Sequence, residues 1–220
     1  MVFRILLILH FLFFDKSFSS EITGILTFPV NERHILVPYN RTRDNLHYLT
    51  DILSDPRVYW SFGDGTSPST EKIFRKHNSY MKRNQIYECS KPYDPINFGF
   101  SWLLVDPSGK GVGIAGFRPD DGLKDYVTEI FCFLKGSHQG QGFGFQIFKT
   151  LTRWFLESFP KETLFWLSKP HNDKSVAIAH KLNFKPVFQE PDDENKQSIV
   201  GEGDKAYLVF SIASDSDKCN

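Results

Sequence analysis

The sequence predicts an α+β domain built on a mixed, mostly antiparallel sheet of about six to seven strands. Three observations carry this. Residues 97–106 ("NFGFSWLLVD") and 111–119 ("GVGIAGFRP") are apolar runs of strand length joined by Pro107, Ser108 and Gly109, a hairpin signal, and "DYVTEIFCFLKG" at 125–136 extends them to a three-strand meander. Next, "HQGQGFGFQIF" at 138–148 places three glycines between the third strand and an amphipathic helix. Finally, the order of strands, strand-loop-helix, strand-helix and closing hairpin is not the even alternation of a doubly wound α/β fold.

The elements follow in chain order. In "ERHILVPYNRTRDNLHYLTDILSDP" a short strand around His34 to Val37 leads to a helix with leucines at three- and four-residue spacing, capped by Thr42, with Pro56 beyond its end. A second helix starts at "SPSTEKIFRKHNSYMKRNQ", with Ser69 or Thr70 as cap and Glu71 in the first turn, where the helix dipole favours a negative charge. After the meander and the glycines, Phe143, Ile147, Leu151, Trp154 and Phe155 share one helical face, and Lys149, Arg153 and Glu157 form a polar stripe on another. "ETLFWLSKP" is a buried strand, "NDKSVAIAHKL" a short helix, and "FKPVFQ" and "KAYLVFSI" the closing strands. The acidic stretch between those two strands, "EPDDENKQSIVGEGD", reads as a loop.

Composition limits the function. With 220 residues and 40% hydrophobic content, one domain with a complete core is expected. Lys plus Arg equals Asp plus Glu, 26 each, so no positive field gathers nucleic acid. Cys89, Cys132 and Cys219 have neither a CxxC spacing nor a His partner cluster; they read as reduced thiols, and no metal ligand set is found. The leader "MVFRILLILHFLFFDKSFSS" has a basic start, an apolar run too short for a membrane span, and a small-x-small triplet at Ser17 to Ser19. It is open to two readings, a secretory signal or an upstream start or disordered extension. The expected division is a leader at 1–20, a single domain at 21–213 and a polar tail at 214–220.

Residue types at fixed offsets separate the phosphate-binding devices that use such glycines. A Walker loop needs Lys and Ser or Thr after its last glycine, and Phe145 follows Gly144. A dinucleotide fingerprint from Gly140 needs glycine where Phe145 stands. The pattern Q/RxxGxG/A is met by Gln139, Gly142 and Gly144. Here the stretch resembles the pyrophosphate loop of the GNAT superfamily of acyl-CoA N-acyltransferases. "HNDKSVAIAHKLNF" is similar to that family's NxxS/A segment ending in LGF, with Asn172, Ser175, Leu182 and Phe184 in register and Asn183 in place of glycine. "ERHILVP" and "EIFCFLKGSHQGQGFG" resemble the ERLxLRP opening and the EIGYWL…QGxG block of its RimJ/RimL-type branch. The resemblance runs from about Ile22 to Ile212.

The resemblance implies a three-layer fold with helices on both faces of the sheet, and acetyl transfer from acetyl-CoA to a primary amine, a protein N-terminus or a small amine, by direct attack. It implies that Gln139, Gly140, Gln141, Gly142, Phe143 and Gly144 hold the pyrophosphate, that the backbone of Phe133 and Leu134 faces the thioester from a strand at Tyr126 to Leu134, and that Asn172 binds pantetheine amides. It implies a cytoplasmic enzyme without a metal, with the secreted alternative left by the leader, no nucleic-acid partner and no stable membrane insertion.

For the base, Glu129 is a lone carboxylate in an apolar strand: a buried base with a raised pKa, or a carboxylate on a solvent face. For the acid, the family's tyrosine position holds Ala179, which keeps a second reading open, a non-catalytic acyl-CoA-binding module. Ser175 is read either as a hydrogen-bond donor to the departing sulfur or as a helix-cap hydroxyl, and His180 as a surface or core residue. Acids at Glu190 to Glu194 read as a solvated run, and Trp60, Trp102 and Trp166 as core rather than pocket walls.

Overall fold

The computed structural model describes residues 27–40, 42–62, 66–89, 99–120, 127–187, 199–200 and 207–214. The apolar leader, the Glu190 to Glu194 acids, Tyr126, Cys219, residues 215–220 of the tail and the side chain of Trp60 lie outside what it describes. The strands are β1 (Phe28–Pro29), β2 (Ile35–Pro38), β3 (Phe100–Val105), β4 (Gly111–Asp120), β5 (Val127–Leu134), β6 (Thr163–Ser168), β7 (Lys185–Pro186), β8 (Ile199–Val200) and β9 (Tyr207–Ala213). The helices are α1 (Arg43–Leu53), α2 (Pro56–Phe62), α3 (Thr70–Cys89), α4 (Phe143–Ser158) and α5 (Asp173–Lys181). One mixed sheet runs β1-β2-β3-β4-β5-β6-β9-β7, with β8 paired to β9, and all pairings are antiparallel except β5 with β6.

Strand alternation divides the interior into two cores. Ile130, Cys132 and Leu134 pack with Trp102, Phe117 and Trp166 beneath α4 and α5. Phe131 and Phe133 turn the other way, to Leu49 and Ile52 of α1 and Ile73 and Tyr80 of α3. The expected helical face is buried, with Ile147, Leu151 and Phe155 at 0% exposure, while Lys149, Arg153 and Glu157 are exposed. Trp102 and Trp166 are core. Among the described residues no helix is long and apolar enough to cross a membrane.

Four local differences from expectation have simple causes. The strand near His34 begins one residue later, because Asn31 Oδ1 accepts from the backbone N–H of Arg33 and His34 and holds that stretch in a turn. Pro56 does not merely follow α1; it opens α2, at the first helical position where its missing N–H costs nothing. The two-residue strands β1 and β8 have no periodicity to read, and β8 interrupts the stretch expected to be a loop. Among the described residues the "FKPVFQ" strand pairs with β9 at Lys185 and Pro186, with Val187 N donating to Val209 O at 3.0 Å, because Pro186 has no N–H to give the ladder. Conversely, Ser69 resolves the choice of cap on α3, since its Oγ accepts from Lys72 N. Asn183 has φ 64°, the left-handed conformation for which asparagine substitutes well for glycine.

The end of β2 is tied to α3 by side chains. Asn84 Nδ2 donates to the carbonyls of Tyr39 (2.8 Å) and Ser101 (2.7 Å), and its Oδ1 accepts from Ser101 N (2.9 Å). Tyr39 OH donates to Asn45 O at 3.1 Å and lies 2.6 Å from His77 Nδ1. Burial, and then the neighbouring Tyr80, push the Tyr39 phenol above its usual range, so it stays neutral as a donor. This polar seam fixes the second core, and with it the wall of helices over β5.

Candidate active site

β5 and β6 are parallel neighbours at only two positions, Thr128↔Leu164 and Glu129↔Phe165. Beyond them β5 continues with β4 to Leu134, and β6 continues with β9 to Ser168. The sheet therefore opens into a gap between the ends of β5 and β6. Register decides which backbone groups line it. Lys135 N donates to Val112 O at 2.9 Å, so odd-numbered residues of β5 face β4, and Ile130, Cys132 and Leu134 turn their backbone into the gap. Phe133, expected to face the thioester, instead pairs with Ile114 in the β4 ladder, so Cys132 takes its place beside Leu134. The Cys132 thiol is buried on the opposite core, and burial pushes its pKa up to about 12, which makes it an inert packing group.

The glycine stretch closes the open end. A 3-10 turn at Gly136–His138 leads to Gly140 (φ 76°) and Gly142 (φ 85°), both left-handed, and Gly142 caps α4 without any side-chain hydrogen bond. The first helical bond is Gln146 N to Gly142 O, so the N–H groups of Phe143, Gly144 and Phe145 have no helical partner. A Cβ at Gly140 or Gly142 meets nothing within 4 Å. At Gly144 it would meet Ile178 Cδ1 at 3.5 Å, an ordinary contact. The loop thus presents unpaired donors, the positive end of a 16-residue helix and open space, which suits a pyrophosphate. The glutamine side chains bond back to the chain: Gln139 Nε2 donates to Leu134 O at 2.9 Å, and Gln141 Nε2 to Ser137 O at 2.6 Å.

A brace not foreseen from sequence holds this loop against the α1–α2 corner. Gly136 N donates to Asp55 Oδ2 at 2.7 Å, Lys135 Nζ lies 3.2 Å from Asp51, and a Cβ on Gly136 would collide with the Arg57 guanidinium. Burial pushes the Asp55 pKa up, but hydrogen bonds from Gly136 and Arg57 and the Arg57 charge outweigh it and hold the carboxyl below its ordinary value. A folded pKa below the unfolded one means the brace is complete above the unfolded carboxyl pKa of about 3.9 and is lost as pH falls through the folded value. Asp55→Asn is expected to weaken CoA binding by about tenfold, a share of one charge-assisted hydrogen bond, as read by calorimetric titration at neutral pH.

At the apex of the gap stands Glu129, 3% exposed and on the α1–α3 side of the sheet. It is not a lone carboxylate. Arg118 on β4, directly opposite, grips it with Nε on Oε2 (2.5 Å) and Nη2 on Oε1 (2.9 Å), and the guanidinium lies 5.8 Å over the Phe131 ring. Glu129 is therefore a paired carboxylate in a two-point, charge-assisted contact, where the sequence suggested an unpartnered buried acid. One signal for it existed in sequence: Arg118 carries the sole basic charge of its apolar run, as Glu129 carries the sole charge of Val127–Leu134.

Across the gap, Asn172 caps α5 by accepting from Ser175 N at 3.2 Å, and Ser175 Oγ accepts from Trp166 Nε1 at 3.0 Å. Ala179 is fully buried in core, and His180 is exposed with its ring 5.3 Å from Phe210. Among the described residues, no three His, Cys, Asp or Glu side chains converge to hold a metal ion.

A sheet that splits between parallel strands in front of a helix terminus suited to an anion fits an acyl-CoA-dependent transferase. The chain belongs to the GNAT acetyltransferase family, with residues 33–185 matching the family described as "Acetyltransferase (GNAT) domain", and is an acyltransferase. Its fold is similar to that of an acetyltransferase from Agrobacterium tumefaciens str. C58 (TM-score 0.64, 16% identity, covering 90% of this chain and 100% of that one). It is also similar to RimL, the ribosomal L7/L12 alpha-N-protein acetyltransferase, in its apo form (TM-score 0.60, 14% identity, 89% and 98% covered). A third similar structure is the microcin C7 self-immunity acetyltransferase MccE in complex with acetyl-CoA and AMP (TM-score 0.57, 17% identity, 84% and 94% covered). These identities speak for the shared fold, in which the RimJ/RimL-like branch is represented.

Proposed function

We propose that the protein transfers acetyl from acetyl-CoA to a primary amine by direct attack in a ternary complex, and that the preferred amine is an α-amine, as on a protein N-terminus or a small molecule. The observation that carries this is the gap itself: it opens at Glu129↔Phe165 and ends at the unpaired amides of the glycine loop. Gly140, Gly142, Phe143 and Gly144 would hold the pyrophosphate through their backbone, with Gln139 and Gln141 supporting them. The backbone of Cys132 and Leu134 would lie along the thioester, and the Asn172 amide, whose oxygen is taken by Ser175 N, offers its Nδ2 to a pantetheine carbonyl. Ser175 would donate its hydroxyl to the sulfur.

The preference for an α-amine follows from Arg118. A carboxylate in a bidentate ion pair is a weak base, so Glu129 accepts a proton best from an amine that gives it up easily. An α-amine, with pKa about 8, is neutral about 200 times more often than a lysine amine of pKa about 10.4 near pH 7. RimL, whose fold this chain shares, is an alpha-N-protein acetyltransferase. The test compares thiol release from acetyl-CoA with a free-α-amine peptide and with a blocked peptide carrying one lysine. The first is expected to react at least about 100-fold faster, and Glu129→Gln to lower kcat by about 100-fold with CoA affinity unchanged. A parental rate in Glu129→Gln would remove Glu129 from the mechanism, and equal rates on the two peptides would remove the α-amine preference.

A further inference from the structure

We propose that Trp166 is a positioning residue for the transfer: its indole N–H holds the Ser175 oxygen so that the serine proton points to the departing sulfur. The proposal rests on the reading of Ser175 given above. Trp166 lies in β6 on the far side of the gap, 1% exposed, stacked on Phe148 at 3.8 Å between ring centres and edge-on to Phe184 at 5.3 Å. Its ring is therefore fixed before any ligand arrives. The indole N–H is a donor only, so the 3.0 Å bond to Ser175 Oγ has one possible direction, with the serine oxygen accepting.

The serine's other groups are equally constrained. Its backbone N–H is taken by Asn172 Oδ1 at 3.2 Å, within the capped first turn of α5. Its hydroxyl proton has no acceptor among the described residues and must point away from the indole that donates to it. Ser175 is half-buried, one turn before Ile178, the residue that a Cβ on Gly144 would touch at 3.5 Å. The hydroxyl thus stands on the β6 side of the gap, one helical turn from the residue nearest Gly144.

The chemistry balances without a second acid. As the amine nitrogen bonds to the carbonyl carbon, the C–S bond breaks and its electron pair goes to sulfur. Ser175 keeps its proton and donates a hydrogen bond to that thiolate, since a hydroxyl is a far weaker acid than a thiol. The amine's proton leaves to Glu129, and the thiolate later takes one from solvent. Trp166, by polarising the hydroxyl through its accepted bond, strengthens the donation.

The prediction is read on bound CoA, with no amine needed. The thiol pKa of CoA in complex with the full chain is measured from thiolate absorbance, with the complex of desulfo-CoA as blank. Ser175→Ala is expected to raise that pKa by about one unit and Trp166→Phe by about half a unit, with CoA affinity held within about twofold. The double variant should shift it no further than Ser175→Ala alone. Replacing Trp166 by 3-benzothienylalanine, which keeps the bicyclic shape and exchanges N–H for sulfur, should match Trp166→Phe and decides the matter if the phenylalanine variant does not fold. A shift in Ser175→Ala with none in the benzothienyl variant overturns the role of Trp166 and leaves Ser175 standing. No shift in Ser175→Ala refutes the reading of Ser175 itself, and the proposal falls with it.

Discussion

Gly142→Glu is expected to weaken CoA binding by about 100-fold or more, near 2.7 kcal/mol, while the fold survives. The two effects separate because of where the new atoms go. Gly142 has φ 85° and ψ −7°, so any L side chain costs about 1–2 kcal/mol of backbone strain. A carboxylate at a helix N-terminus returns part of that, roughly 0.3–1 kcal/mol, through the dipole. The net folding loss is about 1 kcal/mol. A Cβ there meets no protein atom within 4 Å, so the side chain enters the space read as the pyrophosphate's and sets a negative charge against two others. Gly144→Ala is the control, since its Cβ makes only ordinary contacts with Ile178 and Leu134, and affinity should stay within about threefold. Fluorescence or calorimetric titration with CoA reads both. Parental affinity in Gly142→Glu would remove the loop from the ligand.

Asn84→Ala should damage the fold strongly, by about 3 kcal/mol in urea unfolding, from three lost hydrogen bonds of about 1 kcal/mol each. It is severe because the partners cannot recover in water: Tyr39 is 1% exposed, Ser101 0% and Asn84 itself 5%. A typical domain has only about 5–15 kcal/mol in total. Asn84→Asp separates geometry from charge. It keeps the acceptor for Ser101 N but sets a carboxylate against the carbonyls of Tyr39 and Ser101, so it should be less stable than Asn84→Ala at neutral pH and recover as the acid is protonated. Equal stability of parent and Asn84→Ala would show that the seam between β2 and α3 is not holding the second core.

What was legible in the sequence was whatever repeats or sits at fixed offsets. The apolar face of α4 from Phe143 to Phe155, the meander β3-β4-β5, and the glycine offsets after Gln139 are local patterns, and each reads directly into structure. Four things depended on register or on distant chain. Whether Phe133 or Cys132 offers its backbone to the gap turns on one hydrogen bond, Lys135 to Val112, that no periodicity encodes. Arg118 reaches Glu129 only because the β4–β5 pairing sets them opposite. Asp55 reaches Gly136 across 81 residues, and Trp166 reaches Ser175 through the turn from β6 to α5. The largest difference from the sequence reading is at Glu129, which is a buried carboxylate held by a bidentate arginine rather than a lone one.

The proposed activity is acetylation of an amine with acetyl-CoA in this gap. Its most direct test follows free thiol and acetylated amine together, by thiol titration and mass spectrometry, with the full chain, acetyl-CoA and a set of free-α-amine peptides and small primary amines. Amine-dependent thiol release is expected, with one acetylated α-amine formed for each thiol. Saturable CoA binding with no thiol released above the amine-free rate on any of these amines would contradict it.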